Sequence, residues 1–148
     1  MKSKKTEKQS MKKQVKAWID FADKDLLTVS EIIKRPELTN IAAFHCQQTI
    51  EKYFKAFLLE HEKPVPKIHN LLTLYGTIKE ITDFKLDEDL LATINNVYTE
   101  SRYPSEIGLF PDGSIPSINL ANQFYTFTKE VVSKIKENLI TNKPQENS

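Results

Sequence analysis

The sequence predicts an all-α protein, an up-and-down antiparallel bundle of four main helices plus one short helix. Three observations predict it. Apolar residues recur at three- and four-residue spacing in five separate stretches; no stretch alternates in the manner of a half-buried strand; and prolines fall between the stretches, not within them. No internal repeat is visible, and 148 residues suffice for one domain with a real core.

The first helix is marked by Val15, Trp18, Ile19, Phe21, Ala22, Leu26, Val29, Ile32 and Ile33, which fall on one broad stripe bounded by Pro36. The second runs over about 39–61 and stops before KPVPK, whose two prolines cannot continue it. Within 66–84, Leu71, Leu72, Leu74, Tyr75, Ile78 and Ile81 have the spacing of one short helix, which His69-Asn70 begins and Gly76 weakens. Asp87 is placed to cap a fourth helix, with Leu90, Leu91, Ile94, Val97 and Tyr98 as its apolar side up to about residue 101. Residues 102–117 then hold three prolines, two of the three glycines and an Asp112-Gly113 turn signal, and form the one long loop, a connector or a lid over a cleft. The last helix, about 117–140, aligns Leu120, Ala121, Phe124, Phe127, Val131, Val132, Ile135 and Leu139. The expected organisation is a flexible basic tail over 1–13, a helical domain over 14–140 and a flexible polar tail over 141–148.

Composition excludes several classes. A net charge of +1 gives no field comparable to that of a DNA-coating protein, although lysines 2, 4, 5, 8, 12 and 13 crowd the start. That segment reads as a solvated tail, with a phosphate-seeking arm as the alternative. The single cysteine, Cys46, rules out an internal disulfide and a multi-cysteine zinc site, and suits a reducing cytoplasm. No apolar run approaches the ~18 residues of a membrane span, and no signal-peptide core is present. Glycine-rich phosphate loops, HExxH, GxSxG and RNP-type strands are absent as well, and no cofactor or metal is expected.

The informative residues are polar ones that break the apolar stripes. On the second helix, Gln47 and Glu51 project into the arc of Cys46, Ile50, Tyr53, Phe54, Phe57 and Leu58, whereas His45, Gln48, Lys52 and Lys55 line the wetter side. Asp25 likewise enters the apolar arc of the first helix, with Asp20, Asp23 and Lys24 outside it. A buried carboxylate without a donor costs several kcal/mol, so Asp25 and Glu51 require partners. Arg102, one turn beyond Tyr98, is the expected one, bridging the carboxylates or binding a phosphate at the rim of the bundle. On residues alone, a buried ion-pair network that fixes helix register is favoured over catalysis. His45 has no nucleophile or metal-ligand partner at helical spacing and reads as an exposed histidine. Cys46 points into the core with nothing to lower its pKa.

Taken together, WIDFADKDL, AAFHCQQTIEKYFKAFLL, KPVPKIHNLLTL and YTESRYPS resemble the HEPN domain in its small stand-alone prokaryotic form, over about residues 18–139. The resemblance implies a bundle of four main helices plus a short one, commonly paired as a homodimer. It also implies a gene neighbour encoding a small nucleotidyltransferase, in some cases as a toxin–antitoxin pair. Several branches are metal-independent ribonucleases whose motif is an arginine followed, after four to six residues, by histidine. Arg102 matches the arginine, but Tyr103 to Leu109 follow it without a histidine, so the group that moves the proton is missing there. The resemblance thus implies a nucleotide- or RNA-phosphate-binding module. Arg102 would hold the anion, Asp25, Gln47 and Glu51 would orient it or meet a base or ribose, Tyr103 would stack, and His45, Gln48, Lys52 and Tyr98 would line the cleft. The alternatives are a ribonuclease toxin and a non-catalytic dimerisation adaptor.

Overall fold

In the computed structural model, residues 4–97, 108–110 and 112–139 are described. They form five α-helices: α1 (Lys4–Ile32), α2 (Thr39–Glu60), α3 (Leu71–Ile78), α4 (Glu88–Asn96) and α5 (Ile118–Glu137). A single 3-10 turn, Pro36–Leu38, joins α1 to α2, and no strand occurs among the described residues. The ends are set by local chemistry. Pro36 starts the turn between the first two helices, and Asn70, Asp87 and Ser117 cap α3, α4 and α5 by accepting from backbone N–H groups of the first turn.

Helix α2 is the hub. It packs most extensively on α1, next on α5, and also on α3 and α4. Its arc of Cys46, Ile50, Tyr53, Phe54, Phe57 and Leu58 is fully buried, as are Leu71 and Leu74 of α3, Leu91 and Ile94 of α4, and Phe124, Val131 and Ile135 of α5. Each such large side chain contributes roughly 1.5–3 kcal/mol by leaving water. Burial also pushes the Cys46 thiol up to about 12, so it is an inert core group. No buried side-chain polar atom among the described residues lacks a hydrogen-bond partner.

Two expectations need correction. Residues 4–13, read as tail, are the first turns of α1, because Lys, Gln, Glu and Met favour helix and carry it back beyond the apolar stripe. Phe21, read as part of the core stripe, is 59% exposed: it lies at the edge of that stripe, where Lys24 reaches over its ring instead of α2.

The described part of the long loop is seated on the start of α2. The Thr39 hydroxyl donates to the Pro116 carbonyl (2.7 Å), Phe110 packs on the core, and Asp112 accepts from the backbone and hydroxyl of Ser114. Gly108 has φ +70°, and a Cβ there would stand 1.9 Å from the Asn40 carbonyl oxygen. The glycine is what lets the loop approach α2 so closely.

Candidate functional site

One edge of α2 carries two carboxylate-centred clusters. At the first, Asp25 reaches across from α1. Its Oδ1 lies 2.9 Å from His45 Nδ1 and its Oδ2 accepts from Lys52 Nζ. His45 and Lys52 are two helical turns apart on α2, which brings both to one side of that helix. Burial raises the Asp25 pKa, but the hydrogen bonds from His45 and Lys52 and the lysine's charge outweigh it and hold the carboxyl below its usual value. The Asp25 side chain is only 12% exposed, His45 and Lys52 about twice as much.

The second cluster centres on Glu51. Its carboxylate accepts from Lys55 Nζ (3.1 Å), from Gln47 Nε2 (3.1 Å) and meets His69 Nδ1 through both oxygens (3.0 and 3.1 Å). Gln47 also donates to the His69 carbonyl, and Gln48 Nε2 donates to Gln47 Oε1 (2.6 Å). Glu51 and Lys55 are buried, and Lys55 sits 5.7 Å from the centre of the Trp18 ring on α1. The His69 side chain, by contrast, is 52% exposed. Glu51 thereby ties the proline-containing segment between α2 and α3 onto α2. Close by, Asn95 Oδ1 accepts from Leu71 N (2.9 Å), so α4 ends beside the His69 turn.

The six described candidates therefore fall into two groups, Asp25 with His45 and Lys52, and Gln47 with Gln48 and Glu51. Arg102, Tyr103 and Tyr98 lie outside the described residues. The division of α2 into a wet set and an inward set does not hold as drawn. His45 and Lys52 are half-buried partners of Asp25, and Lys55, read as wet, is buried because Trp18 covers it. The donors that the two carboxylates require are present among the described residues without Arg102. Sequence reasoning missed Lys55 and His69 as members. Lys55 had a signal, its position one turn after Glu51; His69 had none beyond its place in KPVPKIHNLLTL. Asp23, placed outside the apolar arc, accepts from the hydroxyl of the core residue Tyr53, and burial with this carboxylate pushes the hydroxyl's pKa up.

Chemically, each cluster is a carboxylate that holds an imidazole by Nδ1 and is charge-matched by a lysine. With the carboxylate ionised, Nδ1 donates to it, which fixes the tautomer and the orientation of the ring. Among the described residues no three His, Cys, Asp or Glu side chains come together to hold a metal ion, and no helix is long and apolar enough to cross a membrane. A surface cavity of about 380 Å³ between α4 and α5, lined by Asp87, Leu90, Gln123, Phe127 and Glu130 among others, contains none of the candidate residues.

Compared with protein-family models, residues 15–138 match that of the HEPN domain. No curated protein and no solved structure matches the chain. The matched span contains both clusters, and the stretches that carried the resemblance hold their residues: Asp25 in WIDFADKDL, His45 to Lys55 in the α2 motif and His69 in KPVPKIHNLLTL. The chain belongs to the HEPN domain family.

Proposed function

We propose that this chain is a nucleotide- or RNA-phosphate-binding HEPN module that acts as a homodimer with a separate nucleotidyltransferase-like protein in the cytoplasm. Its helices are arranged as an up-and-down bundle of four main helices and the short α3. The observation that carries the reading is the polar edge of α2, where two carboxylates already neutralised by Lys52 and Lys55 hold His45 and His69 at the surface. A phosphate approaching this edge meets carboxylates already matched by lysine, with the Gln48 amide as a donor, instead of uncompensated acid. Arg102 supplies the missing fixed positive charge, Tyr103 stacks on a base, Gln48 offers its amide to base or ribose, and Gln47, buried with its amide held by Glu51, the His69 carbonyl and Gln48, keeps that edge in place. The end of α4 beside the His69 turn supports a role for Arg102, which follows α4 in the chain.

Titration calorimetry of the purified protein against nucleoside mono- and triphosphates and short RNAs tests this. Heat of binding from at least one of them is expected; silence across the whole set removes the reading.

A second reading, a metal-independent ribonuclease, is favoured by the same imidazoles. The Arg102 segment lacks a histidine, but His45 and His69, each oriented by a carboxylate, are suited to taking the proton of an attacking 2′-hydroxyl. Expression of the wild type then arrests growth and cleaves RNA, and His45→Ala or His69→Ala relieves both. An inert wild type excludes it.

A further inference from the structure

Residues 1–16 carry seven lysines against Glu7 alone, a charge of +6 in a chain whose net charge is +1, so the rest of the molecule is left at −5. From Lys4 this basic segment is helix, continuous with α1, and Val15 is its first buried residue among those described. Lys12, Lys13 and Lys16 are exposed and form no ion pair among the described residues. By helical spacing Lys12 and Lys16 share one face, with Glu7 on the opposite side, and the helix from Lys4 to Lys16 extends over ~18 Å.

We propose that the first turns of α1 are a basic arm that holds the phosphate backbone of single-stranded RNA, adjoining the nucleotide site of the bundle. The inference rests on the nucleotide-binding reading and adds a second contact surface to it. A membrane surface is disfavoured because residues 1–14 contain no large apolar side chain except Met1 and Met11, whereas a helix lying in a lipid interface needs an apolar face. A second copy of the chain, whose body carries the −5, is the competing occupant that the test separates from RNA. RNA presents unpaired phosphates at high density, and lysines that neutralise them release counterions.

The test titrates a single-stranded RNA of about ten nucleotides and, separately, AMP at several salt concentrations. It compares the wild type with the triple variants Lys12→Gln/Lys13→Gln/Lys16→Gln and Lys12→Arg/Lys13→Arg/Lys16→Arg. For the glutamine variant the expected results are an RNA affinity at least ~10-fold lower, a salt slope shallower by about 2, unchanged AMP affinity and unchanged helicity, with the arginine variant restoring RNA binding. Wild-type RNA affinity and slope in the glutamine variant overturn the arm, as does an affinity loss that only follows dissociation of a dimer. RNA binding that depends on the arm while AMP is not bound supports the arm and removes the nucleotide site; AMP binding with an arm-independent RNA affinity does the reverse.

Discussion

At the scale of single residues, the clusters make different demands on stability. Glu51 and Lys55 are both buried, so Glu51→Ala leaves an ammonium in the core with only the Trp18 ring beside it. Breaking a buried pair from one side costs ~3–5 kcal/mol. Urea denaturation should show a loss of that order for Glu51→Ala, and a smaller one for Glu51→Leu/Lys55→Met, which removes both charges. Asp25 makes a demand that depends on pH. Its folded-state pKa lies below the 3.8 usual for an aspartate side chain, so between those two values the unfolded chain binds more protons and stability rises with pH. The contribution is complete above about pH 4–5 and is lost as pH falls through the folded value. Measured from pH 6 down to pH 2, the stability gap between wild type and Asp25→Asn should therefore close; a gap that widens on acidification contradicts the assigned partners. How much of this was legible differs between the two carboxylates. Helical position alone marks Asp25 and Glu51 as inward groups in need of donors. It does not identify His69, 18 residues from Glu51 across a proline-containing crossing, nor His45 as the partner of Asp25, because both contacts depend on how elements are seated against one another.

At the scale of elements, boundaries were the most legible feature because they are written in local chemistry. Pro36 and the KPVPK prolines stop helices whatever surrounds them, and Asp87 and Ser117 satisfy free N–H groups within their own first turns. Burial was less legible at the margins. The wheel assigns Phe21 and Lys55 by angle, but the neighbour each actually meets, Lys24 for the phenyl ring and Trp18 for the lysine, reverses both assignments. Two glycines give opposite predictions. Gly76 lies within α3 with nothing within 4 Å of an added Cβ, so Gly76→Ala should raise stability by ~0.5–1 kcal/mol through a less mobile unfolded chain. Gly108 combines positive φ with contact against Asn40, so Gly108→Ala should cost more than the ~1–2 kcal/mol of left-handed backbone alone and lift the loop from α2. Thermal unfolding of the two variants, with opposite signs of the shift in Tm, checks both; a Gly108→Ala variant as stable as wild type contradicts the docking of the loop on the Thr39–Asn40 turn.

At the scale of the whole molecule, the all-helical class followed from periodicity, and family membership from four motifs whose order was informative where each alone was modest. What these motifs encode is now partly physical: the α2 motif and KPVPKIHNLLTL build one hydrogen-bonded edge that fastens the α2–α3 crossing. The central claim, that this edge with Arg102 forms an anion site and is not merely a fastening, separates function from stability. The most direct measurement is the affinity of Arg102→Ala for whichever nucleotide or short RNA the wild type binds, taken together with its Tm. The account predicts an affinity loss of tenfold or more, about 1.4 kcal/mol or above, with Tm close to that of the wild type. Undiminished affinity, or a fall in Tm with no change in affinity, would contradict it.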